Sequence, residues 1–175
     1  EVSASFTEQP PMTLRALKDG RPKTALLPPD MWGNYRGNTN SQETDWIQYT
    51  WDIPVRINGV GIQFHQDSNW IRPPHKWHLE VRDDKGCWLP VTVEKYPTDV
   101  DQWIEIKFPP VTTRAIRATF RGRPNGTYFH SVAVSEWEVY AVQADNLTSI
   151  TVKTQVGHLP QLPSTVELSF GGNCS

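Results

Sequence analysis

Cysteine is scarce: Cys87 and Cys174 are the only two in 175 residues, and they say little about redox compartment. Cys87 falls at an expected hairpin turn and Cys174 is second from the end, so a bridge would tie the tail back to the body. Two free thiols are the plainer reading. No apolar run is long enough for a membrane span, and the first residues carry no signal-peptide pattern, so Glu1 reads as a processing boundary. Net charge is −2 with both signs mixed, which leaves no electrostatic footprint for nucleic acid or an anionic membrane. There is no Gly-x-Ser-x-Gly elbow, phosphate loop, His/Cys metal spacing or internal repeat. Glycoside hydrolysis needs two carboxylates facing across a cleft. Asp83-Asp84 and Asp99/Asp101 sit in expected turns instead, where solvation explains them. His75 and His78, three apart, point to opposite faces of a strand. The chain is not expected to be an enzyme.

What is abundant is tryptophan, with eight residues, and period-two alternation. In Trp46–Asp52, Ile47, Tyr49 and Trp51 share one face and Gln48 and Thr50 the other; Val60, Ile62 and Phe64 alternate with Gly61 and Gln63. Such alternation marks half-buried antiparallel strands. Pro54, which removes a backbone donor, suggests a turn between two neighbouring strands. Met12–Leu17 reads as a short strand. Trp77/Leu79/Val81, Leu89/Val91/Val93, Ile104/Ile106/Phe108 and Ile116/Ala118/Phe120 mark further strands, with Pro109-Pro110 ending one of them. Val132–Ala141 closes the set. Short strands with Gly, Pro and Asp turns and almost no helical periodicity predict an all-β antiparallel β-sandwich.

Residues 1–11 read as a linker, 12–141 as the sandwich module, and 142–175 as a tail or the truncated start of another domain, too short for its own core. Three long polar loops interrupt the strands. Residues 25–45 carry Trp32, Tyr35 and Arg36; residues 65–74 carry His65, Asp67, Asn69, Trp70 and Arg72. The third, 121–130, holds Arg123, Asn125, Tyr128, Phe129 and His130. A loop as long as the first is usually functional or disordered. Asn125-Gly126-Thr127, Asn146-Leu147-Thr148 and Asn173-Cys174-Ser175 are glycosylation sequons, relevant only if the source glycosylates secreted proteins.

Four pieces in order, Asp19-Gly20-Arg21-Pro22-Lys23-Thr24, Trp46–Trp51, Val60–Phe64 and Ser135–Tyr140, resemble the F5/8 type C (discoidin-like, galactose-binding-like) β-sandwich family. The likeness is closest to family 32 carbohydrate-binding modules attached to glycoside hydrolases. It implies a galactose-binding-like jelly roll, and Ile150–Thr154 with Leu162–Val166 resemble the start of a bacterial Ig-like domain. The resemblance thus implies a non-catalytic carbohydrate-binding module of a secreted, periplasmic or cell-surface multidomain glycan-degrading protein, most readily a bacterial one. Its partners would be a glycan or polysaccharide and neighbouring catalytic and Ig-like domains of the same polypeptide. The competing expectation is a structural accessory domain that packs on a catalytic domain and binds no sugar.

Two constellations carry these expectations. Flat aromatics offer contact area to the C–H faces of sugars, and polar forks read hydroxyls. That chemistry singles out Trp32, Tyr35, Arg36, His65, Asp67, Asn69, Trp70 and Arg72 as carbohydrate-binding residues. Trp32 and Trp70 have an alternative role, plugging gaps beneath the loops. Calcium, a hard cation, seeks carboxylates plus carbonyls from a tight bend. By position in the resembled family, a structural Ca2+ would take the Leu17 carbonyl, Asp19, the Arg21 carbonyl, Thr24, the Ser135 carbonyl and Glu136. The family often places Trp two residues after the Thr; this chain has Leu26. A plain turn at Asp19-Gly20 and a surface Glu136 form the simpler alternative.

Overall fold

The computed structural model describes residues 1–8, 12–20, 31–37, 42–67 and 69–142. Arg21, Thr24, Leu26, Cys174, the second and third sequons and the Ig-like stretch therefore lie outside the described residues. Among the described residues nine strands form: β1 (Val2–Ala4), β2 (Trp32–Gly33), β3 (Thr44–His65), β4 (Lys76–Arg82), β5 (Trp88–Pro90), β6 (Ile104–Arg121), β7 (Pro124–Asn125), β8 (Tyr128–Phe129) and β9 (Ala133–Ala141). The pairing is antiparallel throughout these strands, as the sandwich expectation required.

Alternation placed the strands well but misjudged their continuity. Trp46–Trp51 and Val60–Phe64 are not neighbours joined by a turn; they are successive halves of the 22-residue β3. Likewise Ile104–Phe108 and Ile116–Phe120 belong to one strand, β6, and the prolines do not end it. The physical reason lies in the register. Pairing of β3 with β6 shifts between Thr50 and Val55, and again between Ile57 and Gly59, opposite the stretch holding Pro109 and Pro110. A missing N–H is tolerated where a ladder is already broken by a bulge, and bulges bend strands. A bend satisfies proline as well as a turn does.

The bends divide the sheet into two layers. The first halves of β3 and second halves of β6 pair with β1 and β4, and β5 extends β4; the second half of β3 lies between β9 and the first half of β6. Aromatic side chains join the layers. Phe64 packs edge-on against Trp77 at 5.5 Å and Phe120 at 5.8 Å, and Tyr49 meets Trp137 at 4.8 Å. Ile47, Val60, Ile62, Leu79 and Ile116 fill the same core. On the outside of the second layer Gly61 is required by space: a Cβ there would lie 2.0 Å from Trp103, whose indole N–H donates to Tyr140 Oη.

Three more expectations change. Residues 1–8 are not a linker, because Val2–Ala4 pair with Ile47–Tyr49 and the terminal ammonium donates to the Thr50 carbonyl. Met12–Leu17 gives not a strand but a 3₁₀ turn over Leu14–Lys18, capped by the Thr13 hydroxyl accepting from Arg15 N–H. The return strand at Leu89–Val93 shrinks to Trp88–Pro90, and Leu89 faces solvent. Cys87 is exposed in the turn after β4, as expected.

Candidate functional site

The described parts of the three polar loops meet at one end of the sandwich. Antiparallel register puts Arg121, at the end of β6, beside both Thr44 and Lys76, and His65 beside Ala133. The loops then bond to one another through the backbone. Arg72 N–H donates to the Ser131 carbonyl, Ser131 N–H to the Trp70 carbonyl and Asn34 N–H to the Val132 carbonyl. Arg123 Nε donates to the Pro73 carbonyl at 3.0 Å.

Asp67 builds the second loop. Its Oδ1 accepts from the backbone N–H groups of Asn69, Trp70 and Ile71 at 2.9, 2.7 and 2.8 Å, and Arg72 Nη1 donates to its carbonyl. This short polar side chain satisfies three successive donors, a local competitor to regular structure. The turn holds Trp70 outward, 40% exposed, 6.3 Å from the Tyr35 ring at a 51° tilt. Asn69 is exposed beside it. Tyr128, on the hairpin turned by Asn125-Gly126 with Gly126 at φ 62°, is likewise 40% exposed at this end. An open aromatic rim with flanking amide, carboxylate and guanidinium groups can cover the apolar face of a small polar ring and bond its edges.

Two of the expected sugar contacts are corrected by burial and pairing. Trp32 is 0% exposed; its ring lies 5.9 Å from Phe120 and its indole N–H donates to the Phe6 carbonyl. It plugs the core beneath the loop and has no face for a ligand. Arg36 holds Asp45 through Nη1 and Nη2 at 2.7 and 2.8 Å and lies over the Phe6 ring, so it is committed to structure. His65 Nδ1 sits 3.1 Å from Asp101 Oδ1. The key residue that sequence reading passed over is Asp45, 2% exposed, which also accepts from Ser5 Oγ and Asn34 Nδ2. Its partners are spread over 40 positions, so no local pattern marks it.

The F5/8 type C domain model matches residues 1–154. The chain belongs to the F5/8 type C domain family. Among solved structures, a chain from work on the Streptococcus pneumoniae beta-galactosidase BgaA is similar at a TM-score of 0.66 and 15% identity, covering 82% of this chain and 97% of that one. A family 32 module of NanJ from Clostridium perfringens, solved with galactose, has a TM-score of 0.60 and 15% identity over 80% of this chain and 92% of its own. A further C. perfringens family 32 module, solved with GalNAc-beta-1,3-galactose, gives 0.60 and 14% over 81% and 94%. At such identities the likeness speaks for the fold.

The F5/8 type C chain has a second feature on its closing strand. Gln63 pairs with Glu136 but Phe64 with Val134, which leaves Ser135 as the extra residue of a bulge. Its hydroxyl bonds to Gln63 Oε1 at 2.8 Å. Next to it Glu136 is 0% exposed, not a surface residue. Glu136 lines a cavity of about 350 Å³ together with Lys18 and Gly20, the neighbours of Asp19, and with Tyr49, Trp51 and Glu138. Tyr49 Oη donates toward the Leu17 and Trp137 carbonyls. Its pKa is raised, first by burial and then by Glu136 and Glu138. The bend and the late glutamate thus share one cavity, while no three His, Cys, Asp or Glu side chains cluster among the described residues.

Titration of the rim follows from Asp67. Burial pushes its carboxyl up, but the N–H groups of Ile71, Asn69 and Trp70 and the Arg72 charge outweigh this and hold it below the usual range. A depressed folded-state pKa gives stability that is present above the unfolded value, about 3.9, and is lost as pH falls through the folded one. The stability this carboxylate contributes is therefore expected to be fully present above about pH 4 and to be lost as pH falls further. Asp67→Asn should remove that acid limb, as read by thermal melting across pH.

Proposed function

We propose that this F5/8 type C domain is a non-catalytic carbohydrate-binding module that takes a sugar on the Tyr35–Trp70 rim. The observation that carries the reading is Trp70, a large ring left 40% exposed on a loop whose Asn69, Trp70 and Ile71 N–H groups are held by Asp67. Exposed aromatics on ordered loops are the anchors of recognition sites. Asn69, Asp67, Arg72 and Tyr128 supply edge donors and acceptors. The modules of similar fold that hold galactose or GalNAc-beta-1,3-galactose make a galactose-configured terminal sugar the first ligand to test. As part of a secreted bacterial glycan-degrading protein, the module would raise the local concentration of a linked catalytic domain at its polymer. Among the described residues no helix is long and apolar enough to cross a membrane. A glycan array is the test: binding to galactose-terminated glycans supports the reading, and silence on every glycan favours a domain that merely packs on its neighbour.

Structural calcium completes the proposal. The donor chemistry fits a hard cation: the buried Glu136 carboxylate, the Asp19 bend and carbonyls of Leu17 and Ser135, the last lifted out of the ladder by its bulge. The Arg21 carbonyl and Thr24 would complete the shell. Bound there, the ion would tie the 3₁₀ turn to β9 and stiffen the sandwich. Melting temperature is expected to fall with EDTA and to recover with added calcium, since a ligand bound only by the folded state stabilises it. An unchanged transition removes the ion.

A further inference from the structure

The outer side of the β1–β3–β6–β4–β5 layer carries a second set of features that the rim does not use. Trp46 of β3, Gln48 of β3, Arg117 of β6, Glu80 of β4 and Trp88 of β5 face this side, and the rows they occupy are fixed by register: Gln48 opposite Arg117, Arg117 opposite Glu80, Arg82 opposite Trp88. The Arg117 guanidinium lies 4.2 Å from the Trp46 ring and 4.1 Å from the Trp88 ring. Both tryptophans are only half-buried. The strip crosses from β3 to β5, three strand spacings or roughly 14 Å of sheet. The two rings, 4.2 and 4.1 Å from the one guanidinium, stand close together at its middle, so a chain of several sugars laid across the strands would pass over both.

The strip is ordered in advance. Arg117 donates from Nε and Nη2 to Gln48 Oε1 at 3.2 and 2.8 Å, and Gln48 Nε2 donates to Thr50 Oγ1. Thr119 Oγ1 donates to Glu80 Oε2 at 2.9 Å. Among the described residues these bonds leave the Nη1 donors of Arg117 for a further acceptor. Groups already locked in place lose little entropy on binding. Charge then selects the partner. Lys76, Arg82, Arg117 and Arg121 face this side against the carboxylates Glu43 and Glu80, a cationic face on a chain of net charge −2. Lys76 is exposed at the start of β4, and Arg82 is exposed at its end beside Trp88.

We propose that this sheet face is a second saccharide platform that takes an acidic, uronate-bearing polysaccharide chain across the strands. The rings of Trp46 and Trp88 offer apolar area, Arg117 and its cationic neighbours meet carboxylates, and Glu80 and Gln48 meet hydroxyls. The proposal adds a surface to the rim and does not depend on the rim binding sugar.

Affinity electrophoresis of the full chain in gels holding polygalacturonate or alginate, against gels holding the carboxyl-reduced polymers, tests it. With the rim disabled by Trp70→Ala, the protein is expected to be retarded by at least one acidic polymer and not by its reduced form. Trp88→Ala should weaken that retardation at least tenfold, and the exposed pair Lys76→Ala/Arg82→Ala should weaken it and flatten its dependence on salt. Trp70→Ala should leave it unchanged. Retardation by neither acidic polymer, equal retardation by the reduced ones, or loss with Trp70→Ala but not with Trp88→Ala would overturn the platform. The rim reading is judged separately, by the glycan array.

Discussion

Replacing Trp70 with alanine is expected to lower affinity for a galactose-terminated glycan at least tenfold, about 1.4 kcal/mol, with no loss of folding stability. Both halves follow from position. The ring is 40% exposed and touches Tyr35, so its removal opens no core cavity. The loop's hydrogen bonds are made by the Trp70 backbone and survive truncation: its N–H donates to Asp67 and its carbonyl accepts from Ser131. What disappears is the flat area on which a sugar ring would rest. Titration calorimetry paired with thermal melting separates the terms. Trp32→Ala provides the contrast: it should cost about 3–5 kcal/mol of stability because that ring is wholly enclosed.

Asp45→Ala is expected to be the most damaging change to a charged residue outside any ligand contact. Asp45 gathers Ser5 from the first strand's end, Asn34 and Arg36 from the rim loop, and β3 itself into one buried knot. Removing one partner of a buried ion pair costs about 3–5 kcal/mol, because the other is left unmatched. Arg36 is partly exposed and can reach water, which places the cost toward the lower end. A fall in melting temperature on the order of 10 °C follows for a domain of this size. Denaturant unfolding checks it; a shift under 1 kcal/mol would mean that the N-terminal segment and the rim loop are not held through this carboxylate.

The layers were legible in the sequence because burial on one face leaves a period of two, and Trp77, Leu79, Ile104, Ile106 and Val60 all fell inward as their spacing required. The connections were less legible. Pro54 and Pro109-Pro110 signal only a lost donor, and a bulge inside a long strand meets that need as well as a hairpin. At the site, loop position could not tell a ring that faces water from one that plugs the floor. Trp32 and Trp70 look alike in sequence, yet two residues of pairing, Trp32–Gly33 against Ala133–Val134, draw the first into the sheet. Arg36 was likewise indistinguishable from a sugar-reading arginine until its partner nine residues on, Asp45, was seen to be buried.

Sugar binding on the Trp70 rim is tested most directly by the indole N–H resonances of the eight tryptophans during titration with a galactose-terminated glycan. Saturable movement of the Trp70 signal, with the enclosed Trp32 and Trp137 signals still, is the result expected. A bound glycan that leaves the Trp70 signal where it was would contradict the account.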